Sequence, residues 1–323
     1  MARVKKQGLS VEDIMATYGS FVPEDVMSTG LDVLDDIFGG GISLQGCYGF
    51  WGDAGCGKST IACQIARYFC SQGLRVCYID TELALNDRQL RTFGLSEFKE
   101  SQMLIHLSCS DMSQLEEIAS VIPEMDIKLL IIDSWSMISP YVEKGMSVKD
   151  CRPGLKALQT SFLLPKLKQS LHNLGVAFIV LFHARANLQM GIVNPNAPTR
   201  KQEGGFSARH IPDLLLKVEI VKKLTNGDVT TGNVLKMSTL EKNKFSQPSV
   251  VTQKLFFGLG MSNKISTIDR ALELGIIEQS GSMYTLPSGE KFRGIAALYD
   301  APSEVISPIR ESVLRVGWIS NSI

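Results

Sequence analysis

Residues 52–60, GDAGCGKST, fit the spacing GxxxxGK[ST]. Glycines let a short loop curl until its N–H groups converge, and converging N–H groups cradle phosphate. Gly52, Asp53, Ala54, Gly55, Cys56 and Gly57 supply that loop, and Thr60 extends it into the helix that follows. Lys58 has the charge and reach for the β and γ phosphates, and the Ser59 hydroxyl suits Mg²⁺. The apolar run GCYGFW before the loop reads as a strand, and KSTIACQIARYF after it as a helix. The helix N-terminus adds partial positive charge. The chemistry implied is binding of a nucleoside triphosphate with its metal.

Three further stretches carry groups that could act on that phosphate. KLLIIDSWS (128–136) is a buried strand ending in Asp133, a natural second holder of Mg²⁺ beside a phosphate loop. RVCYIDTELALN (75–86) ends in acids, of which Glu82 could orient and deprotonate an attacking water. The pattern alone fits a solvated loop carboxylate equally well. IVLFHARANLQ (179–189) begins as a core strand and runs into His183, Arg185 and Asn187. GIVNPNAPTRKQEGG then matches no helix or strand pattern. Loops that long are uncommon in compact domains and are usually functional or disordered. Between Ala184 and His210 lie Arg185, Arg200, Lys201 and Arg209 against one acid, Glu203. Such cations would neutralise nucleic-acid phosphates. The plainer alternatives are a buried histidine bonded to backbone and a mobile surface insert.

The elements that must position these groups read as follows. Strands are expected at 46–51, 74–80, 103–107, 128–133, 176–182, 214–220, 234–240 and 252–257, and helices at 31–38, 58–71, 87–93, 113–122 and 155–174. Alternation of this kind implies an α/β fold with a mostly parallel sheet covered on both faces. Ligands bind such sheets at the carboxyl ends of the strands, where Gly52, Glu82 and Asp133 all fall. The later strands are joined by short turns (Thr225-Asn226-Gly227), so they should pair antiparallel at one edge. A short capped helix is expected at 10–18 and an extended piece around Pro23. From about residue 263 the texture changes to helix, hairpin, helix.

The chain has 323 residues, 44% hydrophobic, with 33 Lys plus Arg against 33 Asp plus Glu. A neutral protein must bind nucleic acid through local basic patches. Its seven cysteines are scattered without a CxxC pair, which argues against zinc and for free thiols. No signal peptide or membrane span is expected, and the reading is a cytoplasmic protein.

Several stretches together resemble the RecA recombinase family over about residues 17–295. They are STGLDVLDDIFGGGI (28–42), IDTELALN, IIDSW, the strand FIVLFH, LEKNKFSQP (240–248) and FFGLGMSNKISTIDRALELGIIEQSGSMYTLPSGEKF (256–292). The last two are the specific ones, because phosphate loops are widely shared. The resemblance implies a RecA-type P-loop core at 28–262, an N-terminal polymerisation arm at 1–27 and a small C-terminal α/β domain at 263–323. It implies an ATP- and Mg²⁺-dependent, DNA-dependent ATPase that polymerises on single-stranded DNA and pairs it with a homologous duplex.

By the same resemblance, Glu82 is the catalytic base and His183 the γ-phosphate sensor, like the phage UvsX branch. Lys242 and Lys244 reach the neighbouring subunit's ATP; two apart on a strand, they face one side. Without the resemblance they read as lysines guarding an edge strand. A first DNA loop at 142–154 carries Lys144, Lys149 and Arg152, and the loop after His183 is the second. Phe21 docks on the next subunit. Where the family has an aromatic over the base, this chain has Gln89, so Phe257 and Pro248 are the expected stacking groups. Arg209-His210 replaces a Lys-Phe pair. The chain stops at GWISNSI, so no acidic autoinhibitory tail is expected. Two alternatives share the core: a hexameric DnaB-type helicase, and a mediator paralogue with little turnover.

Overall fold

The protein is described by a computed structural model over residues 25–141, 154–186, 200–202 and 205–318. Its strands are β1 (Val26–Met27), β2 (Ile42–Ser43), β3 (Cys47–Gly52), β4 (Val76–Asp80), β5 (Leu104–Ser108), β6 (Leu129–Asp133), β7 (Ala177–Ala186), β8 (Arg200–Gln202), β9 (Leu214–Asn226), β10 (Val229–Asn243), β11 (Val250–Phe256), β12 (Glu278–Ser280), β13 (Met283–Thr285) and β14 (Lys291–Arg293). The helices are α1 (Asp32–Phe38), α2 (Lys58–Ser71), α3 (Asp87–Thr92), α4 (Ser96–Glu100), α5 (Met112–Val121), α6 (Leu155–Leu174), α7 (Gly205–His210), α8 (Asn263–Glu273), α9 (Ile295–Tyr299) and α10 (Ser303–Val316).

A nine-stranded sheet organises the molecule, in the order β11-β10-β9-β3-β7-β6-β4-β5, with β8 paired to β7. From β9 to β5 the strands run parallel. Strands β9, β10 and β11 pair antiparallel at the edge, β9 to β10 through the Asn226-Gly227 turn as expected. Side chains alternate across a pleated strand, and this sheet uses both faces. Tyr48 and Phe50 of β3 enter one buried cluster with Ile61, Ile65 and Phe69 of α2. Cys47 and Trp51 enter a second with Met112 and Leu115 of α5 and Leu164, Leu167 and Leu171 of α6. That is why these strands read as continuous apolar runs rather than alternating ones.

The C-terminal segment shares the first cluster through Ile268, Ala271, Ile306 and Trp318. It is also tied to α1: Arg310 grips Asp32 through two 2.6 Å bonds, and the Trp318 N–H donates to Asp36 at 2.7 Å. The six described cysteines are free and buried. Among the described residues no helix is long and apolar enough to cross a membrane.

One expectation is corrected. The segment after His183 is not structureless throughout, because its ends close on each other. Ala184, Arg185 and Ala186 pair with Gln202, Lys201 and Arg200 in an antiparallel ladder. Residues 205–210 form α7. A three-residue strand has no readable period; pairing with the end of β7 is what makes it one. The expected helix at 10–18, Phe21, the first DNA-loop residues Lys144, Lys149 and Arg152, and residues 187–199 lie outside the described residues.

Candidate nucleotide site

The phosphate loop closes β3 and opens α2. Gly57 sits at φ +101°, which favours glycine, and a Cβ there would lie 2.9 Å from Leu255 Cδ1, so that leucine would have to shift. Gly57 caps α2 without a side-chain bond to the first-turn N–H groups. Those donors therefore stay directed at the loop, which suits an anion. Lys58 is buried and folds back, donating to the Gly52 carbonyl at 3.1 Å and the Asp53 carbonyl at 2.8 Å. An ammonium parked on backbone carbonyls keeps its hydrogen bonds and can exchange them for phosphate oxygens.

Asp133 ends β6 in register with Asp80 at the end of β4. Tyr78 donates to Asp133 Oδ2 at 2.6 Å, and the Ser59 side chain also bonds this carboxylate. Burial pushes the Asp133 carboxyl above its usual range, and those bonds only partly offset it. A group whose folded pKa is raised costs stability once ionised, at pH above its unfolded value. Asp133→Asn should therefore raise the thermal midpoint of the ligand-free protein near neutral pH while abolishing Mg²⁺-dependent turnover. Differential scanning fluorimetry beside a phosphate-release assay checks both halves.

Glu82 lies one turn of chain beyond β4. Asp80 fixes that turn by accepting from the N–H groups of Glu82 (3.1 Å), Ala84 (3.3 Å) and Leu85 (2.8 Å). The Glu82 carboxylate then meets two partners: Ser134 Oγ at 2.8 Å and His183 Nε2 at 2.7 Å. His183 stands beside Gly52 in the β3–β7 register, and its own N–H donates to Ser136 Oγ at 2.8 Å. The hydrogen bond from His183 is the main reason the Glu82 carboxyl lies below its ordinary value; burial opposes it, and Ser134 and the charge of Lys58 assist. The candidate base and the candidate sensor thus touch directly, across the carboxyl ends of β4 and β7.

A cleft gathers Ala54, Gly55, Gly57, Lys58, Ser59 and Thr60 with Glu82, Asp133 and His183. Asn233, Leu255 and Phe257 of the antiparallel edge complete its wall. Phe257, an expected stacking group, lines this cleft. Pro248 does not line the cleft of its own chain: it precedes β11, whose seven residues, at about 3.3 Å each, separate it from Phe257. Gln89 sits in the exposed first turn of α3, its N–H bonded to Asn86.

Pro248 instead shares the amino edge of the sheet with the two lysines. Lys242 pairs with Leu215 near the start of β9 and donates to the His210 carbonyl. Lys244 and Lys168 both bond Asp213, at 2.7 and 2.6 Å. Asn243 between the lysines turns away to the Ile37 carbonyl, so the lysines do share one side. Burial, and then the charge of Lys244, lowers the Lys242 pKa. Asp213 also bonds Cys47, the first residue of β3, which puts this cluster a full strand length from the phosphate loop at Gly52. Neither lysine can reach its own subunit's phosphates. Arg209 pairs with Glu241 at 3.5 Å on the same edge. Backbone pairing brings Arg185 and Lys201 opposite each other at the end of β7, close in sequence to His183.

The residues present fit ATP and Mg²⁺. A hydroxyl and a carboxylate already in contact, Ser59 and Asp133, are the hard oxygen donors such a cation takes, with phosphate oxygens supplying the rest. Among the described residues no cluster of three or more His, Cys, Asp or Glu could hold a metal unaided. Sequence reading missed Tyr78, Asp80, Ser134, Ser136 and Asn233. A strand tyrosine or a serine after an acid carries no motif; only the register of β4, β6 and β7 makes them partners.

Known proteins resemble this chain over most of its length. The family model of the RecA N-terminal domain matches residues 9–262. Protein RecA of Bifidobacterium breve is 27% identical over 273 residues, covering 84% of this chain and 67% of the relative. Protein RecA of Corynebacterium efficiens is 27% identical over 300 residues, covering 91% and 75%. Protein RecA of Delftia acidovorans is 26% identical over 268 residues, covering 82% and 71%. The matched span takes in the phosphate loop, Glu82, Asp133, His183 and the two lysines, and on that span the chain belongs to the RecA family.

Proposed function

We propose that this protein is an ATP-dependent DNA recombinase: a DNA-dependent ATPase that forms filaments on single-stranded DNA and pairs it with a homologous duplex. The observation that carries this reading is the direct Glu82–His183 contact, made on the strand whose end continues into the cationic β7–β8 ladder. A change at the γ-phosphate position that draws His183 away moves the root of that ladder. Nucleotide state and DNA grip are then coupled through one continuous strand.

In this reading the chain's groups have these roles. The phosphate loop holds the nucleotide, and Ser59 and Asp133 hold Mg²⁺, which supplies charge neutralisation at the phosphates. Glu82 takes the proton of the attacking water, with Ser134 fixing its orientation. Lys242 and Lys244 complete the site of the next subunit in the filament. Arg185, Arg200, Lys201, Arg209 and the loop residues Lys144, Lys149 and Arg152 contact DNA backbone. Residues 1–27 are the polymerisation arm, with Phe21 docking on a neighbour; residues 28–262 are the ATPase core, and residues 263–323 a small accessory unit.

The test is ATP hydrolysis with and without single-stranded DNA, across a salt series. Turnover should rise strongly with DNA and fall steeply as salt increases, because binding releases one condensed counterion per phosphate contact. Electron microscopy of the DNA complex should show open helical filaments. Turnover indifferent to DNA, with ATP still bound, would sink the recombinase reading.

A further inference from the structure

His106 stands on β5, the edge strand of the sheet, and does not line the nucleotide cleft. Parallel register sets it opposite Tyr78 of β4. Residues i and i+2 of a strand share a face, so Tyr78 and Asp80 share the one that His106 meets. Its Nε2 is 3.6 Å from Asp80 Oδ2, and its ring meets the Tyr78 ring edge-on, with centroids 6.4 Å apart. These two residues are supports of the site. Tyr78 bonds Asp133, and Asp80 accepts from the N–H groups of the turn that carries Glu82.

That turn needs a firm hold. Leu83, next to Glu82, sits at φ +55°, in the left-handed region that a bulky residue rarely adopts. It is 75% exposed, so packing does not keep it there. Asp80 does, by bridging the N–H group before Leu83 and the two after it. A strained residue persists only where its surroundings over-determine it. All three of these bonds come from the turn itself, so the carboxylate needs an anchor elsewhere in the sheet. The His106 side chain is 18% exposed and that of Asp80 4%, so solvent screens their contact little. Burial pushes the Asp80 carboxyl up, but the His106 contact and the bonds from Leu85 and Ala84 outweigh it and hold it low.

We propose that His106 is a positioning residue for ATP hydrolysis. From the edge strand it fixes Asp80, and through Asp80 the turn that aims Glu82 at the attacking water. Its ring also braces Tyr78, so one side chain outside the cleft steadies the supports of both the base and the metal-holding carboxylate. This inference rests on the reading of Glu82 as the base.

The experiment compares His106→Phe, which keeps a ring against Tyr78 but has no N–H for Asp80, with His106→Gln, which keeps a donor. His106→Phe should lower kcat for ATP about tenfold, because the base is misplaced, and leave KM within about twofold. His106→Gln should keep about half of wild-type turnover or more. In the ligand-free protein, amide hydrogen exchange at Ala84 and Leu85 should be about tenfold faster in His106→Phe, with the amides of β6 unchanged. Nitrogen-15 spectra of the histidine-labelled wild type should show His106 Nε2 protonated. That measurement needs no variant, so it stands even if His106→Phe misfolds. An Nε2 without its proton overturns the proposal, as do wild-type turnover in His106→Phe, equal losses in both variants, or exchange at Ala84 and Leu85 that does not change. Glu82→Gln, assayed in parallel, separates the two levels. Turnover undiminished by Glu82→Gln overturns the reading of Glu82 as the base, whereas a protein that needs Glu82 but not His106 overturns the positioning role alone.

Discussion

Glu82→Gln should lower ATP turnover about 10²–10⁴-fold, the range expected when a positioned general base is removed, and should leave ATP binding intact. The substitution keeps the side chain's shape and its Oε1 acceptor, so Ser134 still has a partner. What is lost is the carboxylate that, in the proposed mechanism, takes the proton. Equilibrium binding of ATP beside steady-state phosphate release distinguishes a catalytic role from a structural one; a variant that hydrolyses normally would remove Glu82 from the mechanism.

The same carboxylate carries a pH signature with a fixed sign. His183 holds the Glu82 pKa below its ordinary value of 4.5. The acid limb of kcat/KM that Glu82 controls should therefore lie below pH 4.5, and His183→Ala should shift it upward. Stability follows the same linkage. The contribution of the pair is fully present above pH 4.5 and is lost as pH falls through the lower folded value. An acid limb of kcat/KM unmoved by His183→Ala would mean that the contact does not hold the Glu82 carboxyl low in the free enzyme.

Lys242→Ala should lower DNA-stimulated turnover about 10³-fold or more, the scale of a cation supplied to a transferring phosphoryl group from a neighbouring subunit. ATP binding should survive, because Lys242 lies on the amino edge of its own sheet, beyond reach of its own phosphate loop. The geometry gives this prediction a sharper form. In one filament, a Lys242→Ala subunit offers an intact Glu82 site, and a Glu82→Gln subunit offers an intact lysine face. Equal parts of these two inactive proteins should regain about a quarter of wild-type turnover, the fraction of head-to-tail contacts that pair the intact halves. No recovery on mixing, with each variant still assembling on DNA, would show that Lys242 does not act across the interface.

Asp213 explains how two lysines are kept beside each other in the single subunit. Burial alone would push its carboxyl up, but the bonds from Lys168 and Lys244 outweigh it and hold it low. One buried carboxylate between two ammonium groups keeps the edge cationic yet locally satisfied.

The parts of this protein that a linear reading resolves are those built within one short segment. GDAGCGKST declares its loop because the glycines, the lysine and the hydroxyl all act within nine residues. The strand of Asp133 and the helix after Lys58 declare themselves through apolar runs whose length and flanks suffice. The antiparallel edge follows from Asn226-Gly227, where the turn chemistry fixes the pairing.

Tertiary structure decided the rest, because strand pairing joins residues that no spacing rule relates. Glu82 and His183 are 101 positions apart and touch at 2.7 Å, because β4 and β7 flank β6 and end at one edge. Tyr78 reaches Asp133 for the same reason. Pro248 and Phe257 look equivalent in the sequence, yet β11 carries them to opposite ends of the sheet. Asn233 had no signal at all: an asparagine in a strand is unremarkable until its neighbours are known to be Leu255 and a phosphate loop. Local chemistry is written in consecutive residues, and their meeting is set by strand order and register, which depend on how the two apolar faces of the sheet are buried.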